Sequence, residues 1–225
     1  MTKFLAILCF PGILLAQDLA SGSGATSPVS TGWVYPGYHR HDGFYLSMNL
    51  GPALGGTINK FDDGSTSGKI IYRGPGAFVD LKVGGAIQEN TILSFDLIGR
   101  TITGPDVEYN GQTQSATDDF SMTDNSYGLG LTHYFMPANT FVSATVGTGK
   151  MSYKDKSNDT EGESKWGFAL HLKVGKEWWV SPNWGLGVSG GYGFMAANDK
   201  VPAGSGITST LTSHQFYILF NTTYN

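Results

Sequence analysis

Hydrophobic and polar residues alternate along most of the chain from residue 43 onward. In the clearest segment, residues 165–180, Phe168 and Leu170 lie on one face while Ala169 and His171 lie on the other. A period of two is typical of β-strands, whereas a helix repeats every 3.6 residues. The same alternation predicts eight strands at residues 43–51, 77–87, 91–103, 121–135, 141–153, 165–180, 184–197 and 211–224.

The connections between these segments alternate strictly in length. The short ones are residues 88–90, 136–139 and 181–183, and the long, polar ones are residues 58–68, 104–120, 154–164 and 198–210. Short turns at one end and long loops at the other are typical of transmembrane barrels. We therefore predict an all-β fold for residues 43–225: an eight-stranded antiparallel up-and-down transmembrane β-barrel.

The second face of the predicted strands consists mainly of Gly, Ser, Thr and Asn. Such a face cannot serve as the charged exterior of a soluble barrel, whose apolar side surrounds a ligand. Charged residues make up only 14% of the chain, against about 25% in ordinary soluble domains. Most of the 18 acidic residues fall in the long connections. The apolar face is therefore predicted to meet lipid.

Aromatic residues cluster near the predicted strand ends, as in the two interfacial girdles of a membrane barrel. On the short-turn side these are Phe44, Tyr45, Tyr134, Phe135, Phe141, Trp178, Trp179, Trp184 and Tyr224. On the long-loop side they are Tyr109, Tyr127, Tyr153, Trp166 and Phe194. We therefore assign the two groups to the two girdles.

The N-terminus carries Lys3, an apolar run and then Ala16. This pattern predicts a signal peptide at residues 1–16, too short to cross a bilayer as a helix. Residues 17–42 are rich in Ser, Gly and Pro without a sustained period, so we expect a flexible lead-in. Cys9 lies within the predicted signal, which leaves the exported chain without cysteine. The net charge of −4 argues against a nucleic-acid partner.

In strand number, connection lengths and face pattern, nearly the whole mature chain resembles the small eight-stranded outer-membrane barrels of the OmpA and OmpX type. The resemblance lies in architecture and not in a diagnostic motif. It implies a location in the bacterial outer membrane, contact with its lipid and lipopolysaccharide, and insertion by the barrel assembly machinery. Those barrels commonly end in an aromatic residue, whereas here Tyr224 is penultimate and Asn225 is last.

Several charged residues fall on the inward face of the predicted barrel. In a narrow interior of low dielectric, unpaired charges are costly, so we expect pairing across neighbouring strands. The resemblance implies a plug of internal salt bridges, and a selective solute path is the alternative. The predicted lumen charge network consists of Asp80, Lys82, Asp96 and Arg100, extended by His171, Lys173 and Glu177.

Small inward residues mark the seventh predicted strand, at Gly185, Gly187, Gly191 and Gly193. They either leave a cavity or relieve crowding inside the barrel. An eight-stranded barrel encloses little more space than its own side chains fill, so we expect no open pore.

Candidate chemistry is sparse. Ser213 and His214 are the nearest match to the Ser and His of lipid-modifying barrel enzymes, but neighbouring strand residues point to opposite faces. His39 and His41 could bind a metal ion with a third ligand from elsewhere, but we expect them to belong to a solvated lead-in. We therefore predict no catalytic site, no cofactor and no metal.

Three functions follow from this reading. The first is a structural or surface-interaction barrel that presents four long loops outside to a partner the sequence does not identify. The second is a narrow transport barrel for a small or hydrophobic solute, as OmpW-like barrels are thought to be. The third is a lipid-modifying barrel enzyme.

Overall fold

The computed structural model describes residues 39–201 and 206–225. The predicted signal peptide and most of the predicted lead-in lie outside these residues. The described chain is built of β-strands: β1 (Phe44–Asp62), β2 (Ser67–Gln88), β3 (Thr91–Thr103), β4 (Asp106–Tyr109), β5 (Gln112–Ser115), β6 (Phe120–Phe135), β7 (Thr140–Asp155), β8 (Thr160–Glu163), β9 (Gly167–Trp179), β10 (Trp184–Asn198) and β11 (Thr208–Tyr224).

Eight long strands form a closed antiparallel ring in the order β1, β2, β3, β6, β7, β9, β10 and β11. Pairing between β1 and β11, from Leu46 with Tyr224 to Asp62 with Thr208, closes the ring. This closed ring confirms the predicted eight-stranded antiparallel barrel. Among the described residues, no helix is long and apolar enough to cross a membrane.

The strands at the long-loop end continue further than the sequence alternation indicated. Residues 58–68 were expected to form a loop, but β1 reaches Asp62 and β2 begins at Ser67. The remaining turn is closed by Asp63 Oδ1, which accepts hydrogen bonds from the backbone N–H groups of Ser65 and Thr66 at 2.9 and 2.7 Å. These bonds hold the pKa of the exposed Asp63 below its usual range. Backbone pairing thus continues where the side-chain pattern has already become polar.

The other long connections also contain paired strands. β4 and β5 form a hairpin across residues 104–120, with β4 paired to β2. Its turn contains Asn110 and Gly111, which both have positive φ, 52° and 77°. Asn-Gly is the favoured pair for such a tight turn, because both residues tolerate this conformation. In the next connection, β8 pairs with β7. The long-loop end is therefore largely an extension of the sheet.

Outward and inward faces follow the predicted alternation. Outward side chains such as Leu129 and Ile218 are 64% and 68% exposed, whereas the inward Asp96 is fully buried. These outward residues are apolar on all eight long strands, so an apolar belt surrounds the barrel. The interior is a column of polar, aromatic and apolar side chains.

Three aromatic residues assigned to the short-turn girdle instead point into the barrel. Tyr45, Tyr134 and Phe141 are at most 3% exposed and pack together with Ile92. Tyr153, assigned to the other girdle, lines the interior of the long-loop end. The expectation was wrong for these residues because closeness to a strand end sets height, whereas alternation along the strand sets the face.

Pro52 interrupts strand pairing on one side only. The register of β1 with β2 runs unbroken through Gly51 and Pro52. On the β11 side, the paired residues jump from Leu50 to Ala53. This fits the missing N–H of proline, which removes one ladder hydrogen bond.

Candidate functional site

Buried ion pairs cross the middle of the lumen. Lys82 on β2 forms a salt bridge with Asp96 on β3, directly opposite in the register. Lys173 on β9 reaches across the lumen to Asp80 on β2, with Nζ 2.7 Å from Oδ2. All four side chains are at most 6% exposed. The structure thus brings together four of the seven residues of the predicted network.

Hydroxyl groups complete the shell around Asp96. Ser94 Oγ donates to Asp96 Oδ1 at 2.6 Å, and the Thr145 hydroxyl donates to Oδ2. Lys82 Nζ also reaches Thr145 Oγ1 at 3.2 Å. Burying two charges costs free energy, which a short pair with further hydrogen bonds offsets.

A second ionic level lies nearer the long-loop end. Arg100 Nη2 is 2.7 Å from Asp124 Oδ2, and Ser213 Oγ donates to the same carboxylate oxygen at 2.7 Å. Asp124 was absent from the predicted network. The sequence could have predicted this inward position, because Asp124 is an even number of residues from Gly128 and Gly130, which lie on the inward face of the predicted fourth strand. Arg100 therefore pairs with β6 and not with the charged residues of β2.

The remaining two predicted members lie apart from these pairs. His171 Nε2 is 3.0 Å from Ser126 Oγ. Glu177 lies at the short-turn end, where its Oε1 accepts a hydrogen bond from Thr223 at 2.7 Å. Below it, the Tyr45 and Tyr134 hydroxyls are 3.0 Å apart. Charges, rings and hydroxyls fill the lumen at successive levels.

The glycines of β10 face large neighbours. A Cβ at Gly191 would lie 2.4 Å from both the Leu172 carbonyl oxygen and the Tyr217 ring, and one at Gly193 would lie 2.8 Å from His171 Nδ1. Of the two alternatives left by the sequence, the structure favours relief of crowding. These positions make room for side chains that occupy the lumen.

His41 closes the short-turn end from below. Its ring is fully buried and stacks on Tyr134, with centroids 3.5 Å apart. Its Nδ1 lies 2.8 Å from Asn225 Oδ1 and its Nε2 lies 2.9 Å from Asn139 Oδ1. The expectation of a solvated lead-in was wrong for this residue, because the short segment before β1 folds back under the barrel. Burial lowers the pKa of His41 below its usual range.

The residues beside His41 hold the same segment in place. His39 stacks on Trp179 at 5.1 Å, and Arg40 forms an exposed salt bridge with Glu89 at 3.3 Å. We call residues 39–41 the strap. The strap contacts two short turns, β9 and the C-terminal residue Asn225. The segment before β1 is therefore tied to the residue that follows β11.

The long-loop end contains a cavity of about 280 Å³. Its base is formed by the buried side chains of Met122, Met151 and Leu211, and aromatic rings stand along its wall. Asn59, Ser152 and Asp199 add polar groups. We call this cavity the outer cup.

No family model matches the sequence, and comparison with curated proteins finds no match. In fold, the chain is similar to the outer membrane protein OprG from Pseudomonas aeruginosa, with 10% identity, coverage of 82% of this chain and 98% of that chain, and a TM-score of 0.48. It is similar to the outer membrane protein AlkL, with 14% identity, coverage of 92% of this chain and 96% of that chain, and a TM-score of 0.45. It is also similar to the outer membrane protease OmpT from Escherichia coli, with 11% identity, coverage of 82% of this chain and 97% of that chain, and a TM-score of 0.44. Likenesses of this strength assign no activity.

The closed ring and its apolar belt decide the environment. The chain has the architecture of outer-membrane-type transmembrane β-barrels. In such barrels the short turns face the periplasm and the long loops face outward. The strap therefore lies at the periplasmic end, and the outer cup opens toward the outside of the cell.

Side chains with catalytic potential are poorly placed for catalysis. Ser213 is buried in the lumen beside Asp124, whereas His214 faces outward and is 2.7 Å from the Tyr192 hydroxyl. Ser126 and His171 form a closer pair, but both are at most 5% exposed and His171 Nδ1 has no hydrogen-bond partner among the described residues. A hydrolytic triad needs a third group to orient its histidine and access for substrate.

Metal-binding groups are likewise scattered. Within residues 39–201 and 206–225, no group of three or more His, Cys, Asp or Glu side chains is arranged to hold a metal ion. Both ring nitrogens of His41 already face asparagine side chains. His41 acts in the strap as a packing and hydrogen-bonding residue.

Proposed function

We propose that this barrel is a non-conducting outer-membrane protein that acts through its extracellular end. The observation that carries the proposal is the filling of the lumen at successive levels by side chains at most a few per cent exposed. From the periplasm outward, these levels are the Tyr45–Tyr134 contact, the Lys173–Asp80 pair and the Arg100–Asp124 pair.

The buried ion pairs favour a closed lumen over a solute path, because separating their charges costs free energy. Separating Lys173 from Asp80 would leave two buried charges without partners, and breaking a buried pair costs about 3–5 kcal/mol. A solute would have to break several such contacts in sequence. The Tyr45–Tyr134 level adds packed rings whose hydroxyls already contact each other.

The extracellular end is built for presentation. The paired extensions β1–β2, β4–β5 and β7–β8 hold the connections above the membrane on hydrogen-bonded sheet. Rigid scaffolds that carry exposed connections are a common basis for recognition. This paired scaffold supports a structural or surface-interaction role for the barrel.

Planar-bilayer recording tests the proposal. Purified barrel, with insertion verified by the heat-dependent gel shift of the same sample, is expected to show no conductance above that of the bare bilayer. Step conductances from the inserted protein would contradict the proposal and make the narrow transport barrel the better account.

We also propose that the barrel is not an enzyme, on the ground that Ser213 and His214 lie on opposite faces of β11. Cells that carry the His214→Ala variant should have the same lipid A mass spectrum as cells with the unchanged protein. A change in acylation that requires His214 would contradict this proposal.

A further inference from the structure

The outer cup combines an apolar base with an aromatic wall. Its base consists of Met122, Met151 and Leu211, which are 5%, 2% and 8% exposed. Beneath this base, Met151 and Leu211 pack with Met195 in one buried apolar cluster. A molecule entering the cup would therefore meet an apolar surface and stop there.

Three rings form the aromatic wall. Tyr72 and Phe120 have centroids 5.9 Å apart at an interplanar angle of 17°, and Phe120 and Tyr153 are 6.2 Å apart at 19°. The rings are contributed by β2, β6 and β7, of which β6 and β7 are paired and β2 lies on the other side of β3. Nearly parallel rings present flat apolar surface suited to a flat ligand.

Polar groups stand on another part of the wall. Asn59 and Asp199 both contact Ser209 Oγ, at 2.8 and 3.2 Å. Glu163 also lines the cup, but Lys150 and Lys200 form salt bridges with it. The local charge is thus largely balanced, which favours a neutral ligand over an ion.

The volume sets the size of the ligand. A buried apolar cavity of about 150 Å³ holds one benzene molecule, and the outer cup has about 280 Å³. It can therefore take a substituted single ring or two fused rings. Larger molecules would protrude from the mouth, where the Tyr153 side chain is already 40% exposed.

We propose that the outer cup is a binding site for a small neutral molecule of one or two flat rings that carries a hydrogen-bonding group at its edge. The ring packs against Phe120 and the methionine base, and the polar edge faces Asn59 and Asp199. This inference rests on the proposed surface role, to which it adds a class of ligand. It describes capture at a dead end and involves no passage through the lumen.

Methionine methyl NMR tests the proposal on the full mature chain in phosphatidylcholine nanodiscs, with indole as the probe. Indole has two fused rings and one N–H donor. Titration is expected to shift the ¹³C-methyl signals of Met122 and Met151 saturably. Met48 faces lipid and is 48% exposed, so its signal reports partition of indole into the bilayer and should not follow the same curve.

Two matched phenylalanine variants locate the site. Phe120→Ala removes the central ring of the wall and should weaken indole binding roughly 2- to 12-fold, the effect of losing one aromatic contact. Phe135→Ala removes an outward ring that is 50% exposed at the other end of the barrel, and it should leave the affinity unchanged. Since Phe120→Ala could disturb folding, the heat-dependent gel shift of each variant is compared first, and Tyr153→Leu serves as a second cup variant.

Distinct outcomes overturn the proposal. Shifts of Met48 parallel to those of Met122, without saturation, would show partition into lipid only. Saturable shifts with tetramethylammonium but not with indole would show that the cup takes cations. Either result would contradict the cup proposal and leave the conductance prediction of the proposed surface role unaffected. Conductance in bilayers would contradict the surface role and leave these NMR results unaffected. The failures of the two proposals are therefore distinguishable.

Discussion

Replacement of Ile218 by arginine tests the assignment of the lipid-facing surface. Ile218 is 68% exposed and lies between Phe216 and Phe220 on the outward face of β11. On β11, Ile218 lies six positions before Tyr224 and four positions after His214, near the middle of the stretch between them. An arginine facing lipid at the bilayer midplane costs about 2–4 kcal/mol. The equilibrium ratio of folded to unfolded barrel in vesicles should therefore fall roughly 30- to 700-fold.

Thr210→Arg is the matched control. Thr210 is also outward on β11, but it pairs with Lys60 and Asn198 above the apolar belt, where an arginine should cost about 0–1 kcal/mol. Urea titration in lipid vesicles, followed by tryptophan fluorescence, gives both values. Equal stability of the two variants would refute the assignment of faces, because a water-facing belt would not distinguish the two heights.

Three further predictions concern the interior and the strap. Lys173→Met should lower the free energy of unfolding by about 3–5 kcal/mol, because it leaves the buried Asp80 without its ion-pair partner. Adding Asp80→Asn should recover most of this loss, as measured by urea titration. No recovery would contradict the pairing. Gly191→Ala should cost about 1–3 kcal/mol by overpacking, whereas Gly190→Ala, whose Cβ would meet nothing nearer than 3.7 Å, should change stability by less than about 1 kcal/mol. Burial lowers the pKa of His41 from 6.5, so the closed strap favours the neutral ring and should weaken as the pH falls below 6.5. Lower protection factors of the strap amides at low pH, taken relative to the intrinsic exchange rate at each pH, check this, and His41→Phe should abolish the pH dependence.

The sequence predicts the barrel well because two-residue alternation is a local property. Phe168, Leu172 and Val174 can be assigned to one face without knowledge of any neighbouring strand. Strand number and ring order then follow from connection lengths, since short turns force neighbouring strands to pair. The strand ends were less predictable, because β1 continues to Asp62 through residues whose side chains carry no apolar signal.

The interior contacts depend on relationships that alternation does not encode. The inward positions of Asp80 and Lys173 are readable from parity, but their contact spans the lumen between β2 and β9 and depends on barrel closure. His41 could not be placed from sequence, because nothing in the polar segment before β1 indicates that it folds back. The outer cup is similar: Tyr72, Phe120 and Tyr153 lie on three strands and meet only through register and shear.

The most direct test of the central account is the electrophoretic mobility of the protein extracted in mild detergent from washed outer membranes. A lipid-embedded closed barrel should be recovered in that fraction, run as a compact species before boiling and shift to its unfolded mobility afterwards. Recovery as a soluble periplasmic protein with no heat-dependent shift would contradict the account, since it would place the apolar belt away from lipid.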